Sequence, residues 1–185
     1  MCVNLTSVTI PDTVKSIGNQ AFAGTGLTKI TIPASVTEFG YDVFSNGINF
    51  IDEEAYVGGP SKLTSITVDG GSRTFSSAGG VMFSKDKTTL VCYPCAKKGA
   101  YTIPSTVSTI EAFAFSECMG LTGITIPSSV RTIGVQAFSY CTGLDFVAIP
   151  EGVRVIDEGA FLDAELSGIS VPQSVTSIGY YARNN

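Results

Sequence analysis

Two of the five cysteines, Cys92 and Cys95, form a C-x-x-C, the spacing of a redox pair. Such a pair reacts when a helix N-terminus or a nearby cation lowers one thiol pKa. Here it follows an apolar, strand-like run with no β-α-β pattern around it, so it reads as two small apolar residues in a turn. Cys118 and Cys141 each stand three residues after a Phe. They could bridge neighbouring segments. Thr25 and Ala164 hold the matching places elsewhere, so the position asks for small size and the pair reads as a buried thiol ladder. An odd cysteine count also leaves any full disulfide framework incomplete.

The acidic clusters Asp52-Glu53-Glu54 and Asp157-Glu158, the latter with Asp163 and Glu165, could hold a cation or pair carboxylates for glycoside hydrolysis. Neither has calcium-loop spacing, and both read as solvated turns. Histidine is absent, which removes the commonest general base and the commonest zinc ligand. No nucleophile elbow or phosphate-binding loop occurs. The expectation is a non-enzyme with no cofactor and no metal site. Asn4-Leu5-Thr6 is a glycosylation sequon, meaningful only in a secreted eukaryotic protein.

The elements that carry these residues repeat. Six segments read Leu-x-x-Ile-x-Ile-Pro or a near variant: 5–11, 27–33, 63–69, 121–127, 144–150 and 166–172, with Tyr101-Thr-Ile-Pro104 keeping the end of a seventh. Follow-ons of the form Val-x-x-Ile-Gly-x-x-Ala-Phe, or a close variant, start at Val14, Val36, Val107, Val130, Val153 and Val175. The period is 22 or 23 residues, as from Leu5 to Leu27 or from Phe115 to Phe138. That regularity means coils stacked in one dimension. Alternating Ile and Val suit a strand with one buried face, and proline ends it for lack of an N–H. Stacking should line up Phe22, Phe44, Phe115, Phe138 and Phe161 as aromatic ladders in a continuous interior.

Two stretches break the period. Ile48 to Tyr56 reads as a truncated coil without its leading strand. In residues 70–100, Val81–Ser84 and Thr88–Tyr93 flank Lys85-Asp86-Lys87 and predict a β-hairpin, placed as an insertion on the edge or one face of the stack. The expected architecture is mainly β: a leucine-rich repeat solenoid of 22–23-residue coils with a parallel β-sheet and an inserted β-hairpin. Residues 1–185 form a single domain, with repeats at about 5–68 and 101–185.

These repeats resemble the BspA-like leucine-rich repeat family, whose unit is Leu-x-x-Ile-x-Ile-Pro-x-x-Val-x-x-Ile-Gly-x-x-Ala-Phe-x-x-Cys. The resemblance covers nearly the whole chain, and the hairpin also looks like one that recurs in the family. It implies a surface or secreted protein, with adhesion to host cells and matrix proteins as a role some members take. The chain departs from the unit at Asp69, which replaces the proline, and at Arg183, which follows Ala182 in place of Phe. With no leader and no dedicated N-terminal cap, it reads as a fragment or mature portion of a larger protein.

Composition narrows the partners. A net charge of −5, with no basic run longer than Lys97-Lys98, argues against nucleic acid. No apolar run spans a bilayer, so membrane insertion is not expected. The outward strand positions are Ser7 and Thr9, Lys29 and Thr31, Ser65 and Thr67, Gly123 and Thr125, Phe146 and Ala148, Gly168 and Ser170. They predict a flat docking face of small side chains, from which Lys29 and Phe146 stand out. The candidate protein-binding residues are Lys29, Thr31, Thr67, Thr125 and Phe146 on that face, and Lys85 and Lys87 on the hairpin. Carbohydrate binding through Tyr41, Tyr140, Tyr180 or Tyr181, and a plain structural spacer, are the rival readings. Open coil ends also predict weak self-association.

Overall fold

The computed structural model describes residues 2–45 and 61–182. The predicted truncated coil at Ile48–Tyr56, with the acidic Asp52-Glu53-Glu54, and the final Arg183-Asn184-Asn185 lie outside them. Fifteen short strands follow in chain order: β1 (Ser16–Ile17), β2 (Lys29–Ile32), β3 (Glu38–Phe39), β4 (Ser65–Val68), β5 (Phe75–Ala78), β6 (Val81–Ser84), β7 (Thr89–Cys92), β8 (Gly99–Thr102), β9 (Thr109–Ile110), β10 (Leu121–Thr125), β11 (Thr132–Ile133), β12 (Phe146–Ala148), β13 (Val155–Ile156), β14 (Gly168–Ser170) and β15 (Ser177–Ile178).

Each coil has three sides, and the repeat motif explains each of them. The Leu-x-x-Ile-x-Ile segments form parallel pairs, β2 with β4, β8 with β10 and β12 with β14. The proline that follows opens a turn that the next Val closes: Val36 N donates to the Pro33 carbonyl at 3.2 Å and Val130 N to Pro127 at 3.1 Å. The second side carries the Ile-Gly strands. Here β9, β11, β13 and β15 pair in parallel and in register, with Ile110, Ile133, Ile156 and Ile178 in one column. The glycine that follows Ile133 and Ile178 lets successive coils approach: a Cβ on Gly134 would lie 2.7 Å from Ala112 N and 2.9 Å from the Ile110 carbonyl.

The third side is the x-Ala-Phe-x-x bend. The residue before the Ala-Phe pair (Val-Phe after Asp42) is left-handed in coil after coil, at Gln20, Asp42, Phe113, Gln136 and Gly159, with φ of 56°, 55°, 59°, 50° and 60°. A second left-handed residue falls two after the Phe, at Gly24, Glu117, Tyr140 and Asp163. These conformations cost non-glycine residues free energy. They also turn alternate N–H groups along the stacking axis. Phe113, Phe115 and Glu117 donate to the carbonyls of Val135, Ala137 and Ser139 at 2.9, 2.8 and 2.7 Å. Gln136, Phe138 and Tyr140 do the same to Glu158, Ala160 and Leu162. The ladder offsets the strain.

The inserted segment is more than a decoration. Asp69, where the motif has proline, accepts the Gly71 N–H on Oδ1 at 2.8 Å and starts the excursion with a side-chain turn. β5, β6 and β7 then form an antiparallel meander. Its last strand joins the solenoid: β7 pairs in parallel with β9, Leu90 opposite Ile110. The hairpin strands thus extend the edge of that sheet, one of the placements expected, but they do more than rest there. The hairpin supplies one coil of the stack, because Leu90 and Tyr93 fall in the Ile and Phe columns. Tyr93 stacks on Phe115 with centroids 4.9 Å apart.

The interior is divided, contrary to the expected continuous one. Phe22 stacks on Phe44 at 5.9 Å in an N-terminal core. Phe115, Phe138 and Phe161 stack at 4.8 and 5.2 Å in a larger C-terminal core. β6 is the partition. Met82 packs into the first core while Val81 and Phe83 pack into the second, so all three are buried. A strand covered on both faces loses the polar alternation expected of a surface hairpin.

Phe138 is fully buried and touched by a ring on each side, whereas Phe22 is half-buried. Phe138→Ala should lower unfolding free energy by about 3–5 kcal/mol and Phe22→Ala by about half as much, read by urea denaturation. At the left-handed Gln136, Gln136→Val should cost about 1–3 kcal/mol and Gln136→Gly less than about 0.5 kcal/mol, read the same way.

Candidate functional site

Two features of the exterior merit attention: the outward strand face, and a cleft where the two cores meet. On the face, Lys29 and Thr31 of β2 are exposed, in register with Ser65 and the exposed Thr67 of β4. Thr125 is exposed on β10, beside Thr102 of β8. Phe146 on β12 is 54% exposed, opposite Gly168 of β14. A Cβ at Gly168 would lie 3.1 Å from the Phe146 ring, so the missing side chain is what lets the ring lie down on the sheet.

The predicted docking face is interrupted. Ser7 and Thr9 are exposed but belong to no strand. Between β4 and β8 the hairpin bend intervenes: Ile66 N donates to the Gly80 carbonyl at 2.9 Å, and Lys97 Nζ donates to the Gly79 carbonyl at 3.0 Å. Lys29, Thr31 and Thr67 thus form one patch, and Thr125 and Phe146 another. Lys85 and Lys87 are exposed at the β6–β7 turn, in a different sheet from both. That turn is built by Asp86, whose carboxylate accepts from Ser84 Oγ at 2.7 Å and from the N–H and hydroxyl of Thr88 at 3.1 and 2.8 Å. Those bonds hold its pKa below the ordinary carboxylate value. Among the rival tyrosines, Tyr41, Tyr180 and Tyr181 are exposed, while Tyr140 is half-buried. Burial first, then Asp163, pushes the Tyr140 hydroxyl up.

The cleft, about 330 Å³, follows from a shortened coil. Five residues lead from Leu90 to Cys95, where eight lead from Ile110 to Cys118 and from Ile133 to Cys141. The hairpin coil therefore lacks the bulging x-Ala-Phe bend. Into the space thus left, Tyr41 reaches from the N-terminal coils and stacks on Phe113 at 5.0 Å. Asp42, Ser45, Cys92 and Glu111 also line it. The Ser45 hydroxyl is buried without a hydrogen-bond partner among the described residues.

Asp42 is the perturbed carboxylate of the cleft, where burial also pushes the Cys92 thiol and the Tyr93 hydroxyl up. Burial raises its carboxyl pKa to about 6, against the lowering effect of hydrogen bonds with the side chains of Ser116 and Gln20. Ser116 is itself 3.1 Å from Ser139 Oγ, so a polar thread runs from the cleft into the next coil. The cleft brings Asp42 and Glu111 together from distant parts of the chain, which the sequence did not suggest. Asp42 was missed because its only sequence signal is its place before Val43-Phe44, where Ala-Phe usually stands. Among the described residues, no group of three or more His, Cys, Asp or Glu side chains converges to hold a metal ion. No helix among them is long and apolar enough to cross a membrane.

The sign of the Asp42 effect is fixed by its raised pKa. The folded state holds the proton more tightly than the unfolded chain, so stability falls as pH rises from about 4 to about 6 and the penalty is complete above that. Asp42→Asn keeps a residue type that tolerates left-handed backbone. It should raise the Tm by several degrees at pH 7.5 and leave it unchanged below pH 4, by differential scanning calorimetry; a difference independent of pH would refute the assignment.

Known proteins fit this geometry. The chain matches the BspA type leucine rich repeat region in six copies, over residues 1–69 and 92–185. No curated protein matches it. Among solved structures, the pneumococcal vaccine antigen PcpA is similar at 27% identity and a TM-score of 0.79, over 91% of this chain and 39% of that one. A leucine-rich cell surface protein from Faecalibacterium prausnitzii is similar at 27% identity and a TM-score of 0.63, over 95% and 54%. A leucine-rich repeat protein from Eubacterium ventriosum follows at 26% and 0.58, over 94% and 62%. The chain thus spans about two fifths to three fifths of those proteins. With its coils, its bends and six matched copies of the repeat accounted for, the chain belongs to the BspA-type leucine-rich repeat family.

Proposed function

We propose that this chain is a non-catalytic binding module, exposed at a cell surface or secreted, which adheres to host or matrix proteins. The observation that carries the reading is Phe146: an aromatic ring 54% exposed, lying across Gly168 on a rigid strand pair. Its orientation is set before any partner arrives, so little ordering entropy is lost on contact. Exposed, well-positioned aromatic rings are where binding energy concentrates. Thr125, on the neighbouring strand β10, adds small polar surface. Lys29, Thr31 and Thr67 form a second patch, and Lys85 and Lys87 add charge at the hairpin turn, on a rigid scaffold where recognition residues tend to collect. The surface location draws support from the cell surface protein and the vaccine antigen that the chain resembles.

The cleft supports one further reading, since Asp42 and Glu111 face a common space with exposed Tyr41 beside it. Those are the components of a carbohydrate subsite, and a glycan array separates it from protein adhesion.

The test is binding to immobilised fibronectin, laminin and collagen by surface plasmon resonance. Phe146→Ala should weaken binding to at least one of them about 10-fold or more, with Tm unchanged within about 2 °C. Lys85→Ala with Lys87→Ala should lower the association rate two- to five-fold in low salt. No binding to any of the three, or binding indifferent to Phe146, would overturn the reading.

A further inference from the structure

The Cys column is longer than the repeat register indicates. Cys95 stands 23 residues before Cys118, Cys118 stands 23 before Cys141, and Ala164 closes the column 23 further on. All five cysteines are free thiols. Their sulfurs are nevertheless treated differently. Cys141 Sγ turns to the Phe115 carbonyl at 3.0 Å, and Cys92 Sγ points to the Tyr93 carbonyl at 3.9 Å. Cys118 Sγ lies 2.7 Å from Cys95 Sγ, and both face the Ser116 carbonyl, at 3.8 and 3.1 Å. In-register coils about 4.8 Å apart put column neighbours within the Cα separation a disulfide needs. The sulfur-sulfur distance is already most of the way to a bond of about 2.05 Å.

The two partners are unequal in access. Cys95 is half-buried and lines the cleft, whereas Cys118 is fully buried behind it. Burial pushes the Cys118 thiol up, which disfavours it as the first to react with anything in solution. The site also has a mechanical reason to be bridged. Regular coils send three bend N–H groups to the next coil, as Phe113, Phe115 and Glu117 do. The shortened coil sends one, from Tyr93 to the Ala114 carbonyl at 2.8 Å. This seam of the C-terminal stack has fewer bend hydrogen bonds than the regular ones beside it.

We propose that Cys95 is a site of thiol–disulfide exchange and that Cys118 resolves it, forming a reversible disulfide that staples the hairpin coil to the regular array. The oxidant is a low-molecular-weight or protein disulfide. Cys95 thiolate attacks one of its sulfurs, the oxidant's S–S bond breaks, and one thiolate leaves and takes up a proton. Cys118, losing its proton, attacks the Cys95 sulfur and expels the second thiol. Two protein thiols are oxidised and one external disulfide is reduced to two thiols. The bridge closes a loop of about 24 residues and constrains the unfolded chain.

The experiment equilibrates the chain with oxidised and reduced glutathione, alkylates the remaining thiols and maps tryptic peptides, in a Cys92→Ala background so that residues 88–97 hold a single cysteine. The expected product links 88–97 to 99–131, leaves Cys2 and Cys141 alkylated, and raises the Tm by roughly 5–10 °C over the reduced form. Cys118→Ala, which copies the buried Ala164 of the same column, should stop the reaction at a Cys95–glutathione mixed disulfide. Cys141→Ala should leave the link intact. The proposal is overturned if Cys95 and Cys118 both stay alkylatable while exposed Cys2 is oxidised, or if Cys118 pairs with Cys141.

Discussion

Stacking in register is the constraint on which the molecule rests. Adjacent coils lie one strand spacing apart, roughly 4.8 Å, so any side chain in one coil meets its own equivalent in the next. No coil can bury its apolar side alone, and each exists only because its neighbours present a matching column. The columns are therefore conservative by physics: Phe on Phe at 4.8 and 5.2 Å, Ile on Ile through the second sheet, and one small residue after each bend. The left-handed bend residues belong to the same constraint, since their strain turns N–H groups to the neighbouring coil.

The hairpin obeys this constraint at its ends and breaks it in its middle. β7 enters in register, and Tyr93 and Cys95 take their places in the aromatic and sulfur columns. The bend between them is cut short. From that one shortening follow the cleft, the contact of Tyr41 with Phe113, the burial of Asp42 against Ser116, and the thinly bonded seam at Cys95. β5 and β6 meanwhile fill the space between the two cores, with Phe75 edge-on to Phe39 at 6.2 Å and Met82 and Phe83 facing opposite ways. The outward strand face is divided at the same level. Regularity builds the scaffold, and its one large departure makes most of the distinctive chemistry.

What the sequence disclosed follows the same line. Much of what repeats was legible: the strand at Lys29–Ile32, the Pro-x-x-Val turn, the Phe stacking and the outward direction of Thr31, Thr67, Thr125 and Phe146. The two hairpin strands Val81–Ser84 and Thr89–Cys92 were legible too, from their apolar runs around Lys85-Asp86-Lys87. β5 was not, because Phe75-Ser-Ser-Ala carries one apolar anchor and no alternation. The places of Tyr93 and Cys95 in the columns were not read, because C-x-x-C drew attention to local spacing when the spacing of 22 or 23 residues was the informative one. Asp42 and Glu111 were out of reach, since a shared cleft depends on the path taken by residues between them.

The integration of the hairpin coil is the central claim, and backbone hydrogen exchange tests it most directly. Its bonds to the array include Tyr93 N to Ala114 and Glu111 N to Leu90, at 2.8 and 2.9 Å. If the hairpin is a true coil, these two amides exchange as slowly as those of Phe115 and Phe138, in one cooperative unit. Rapid exchange at Tyr93 and Glu111, with the later coils still protected, would show an appendage resting on the solenoid and contradict the account.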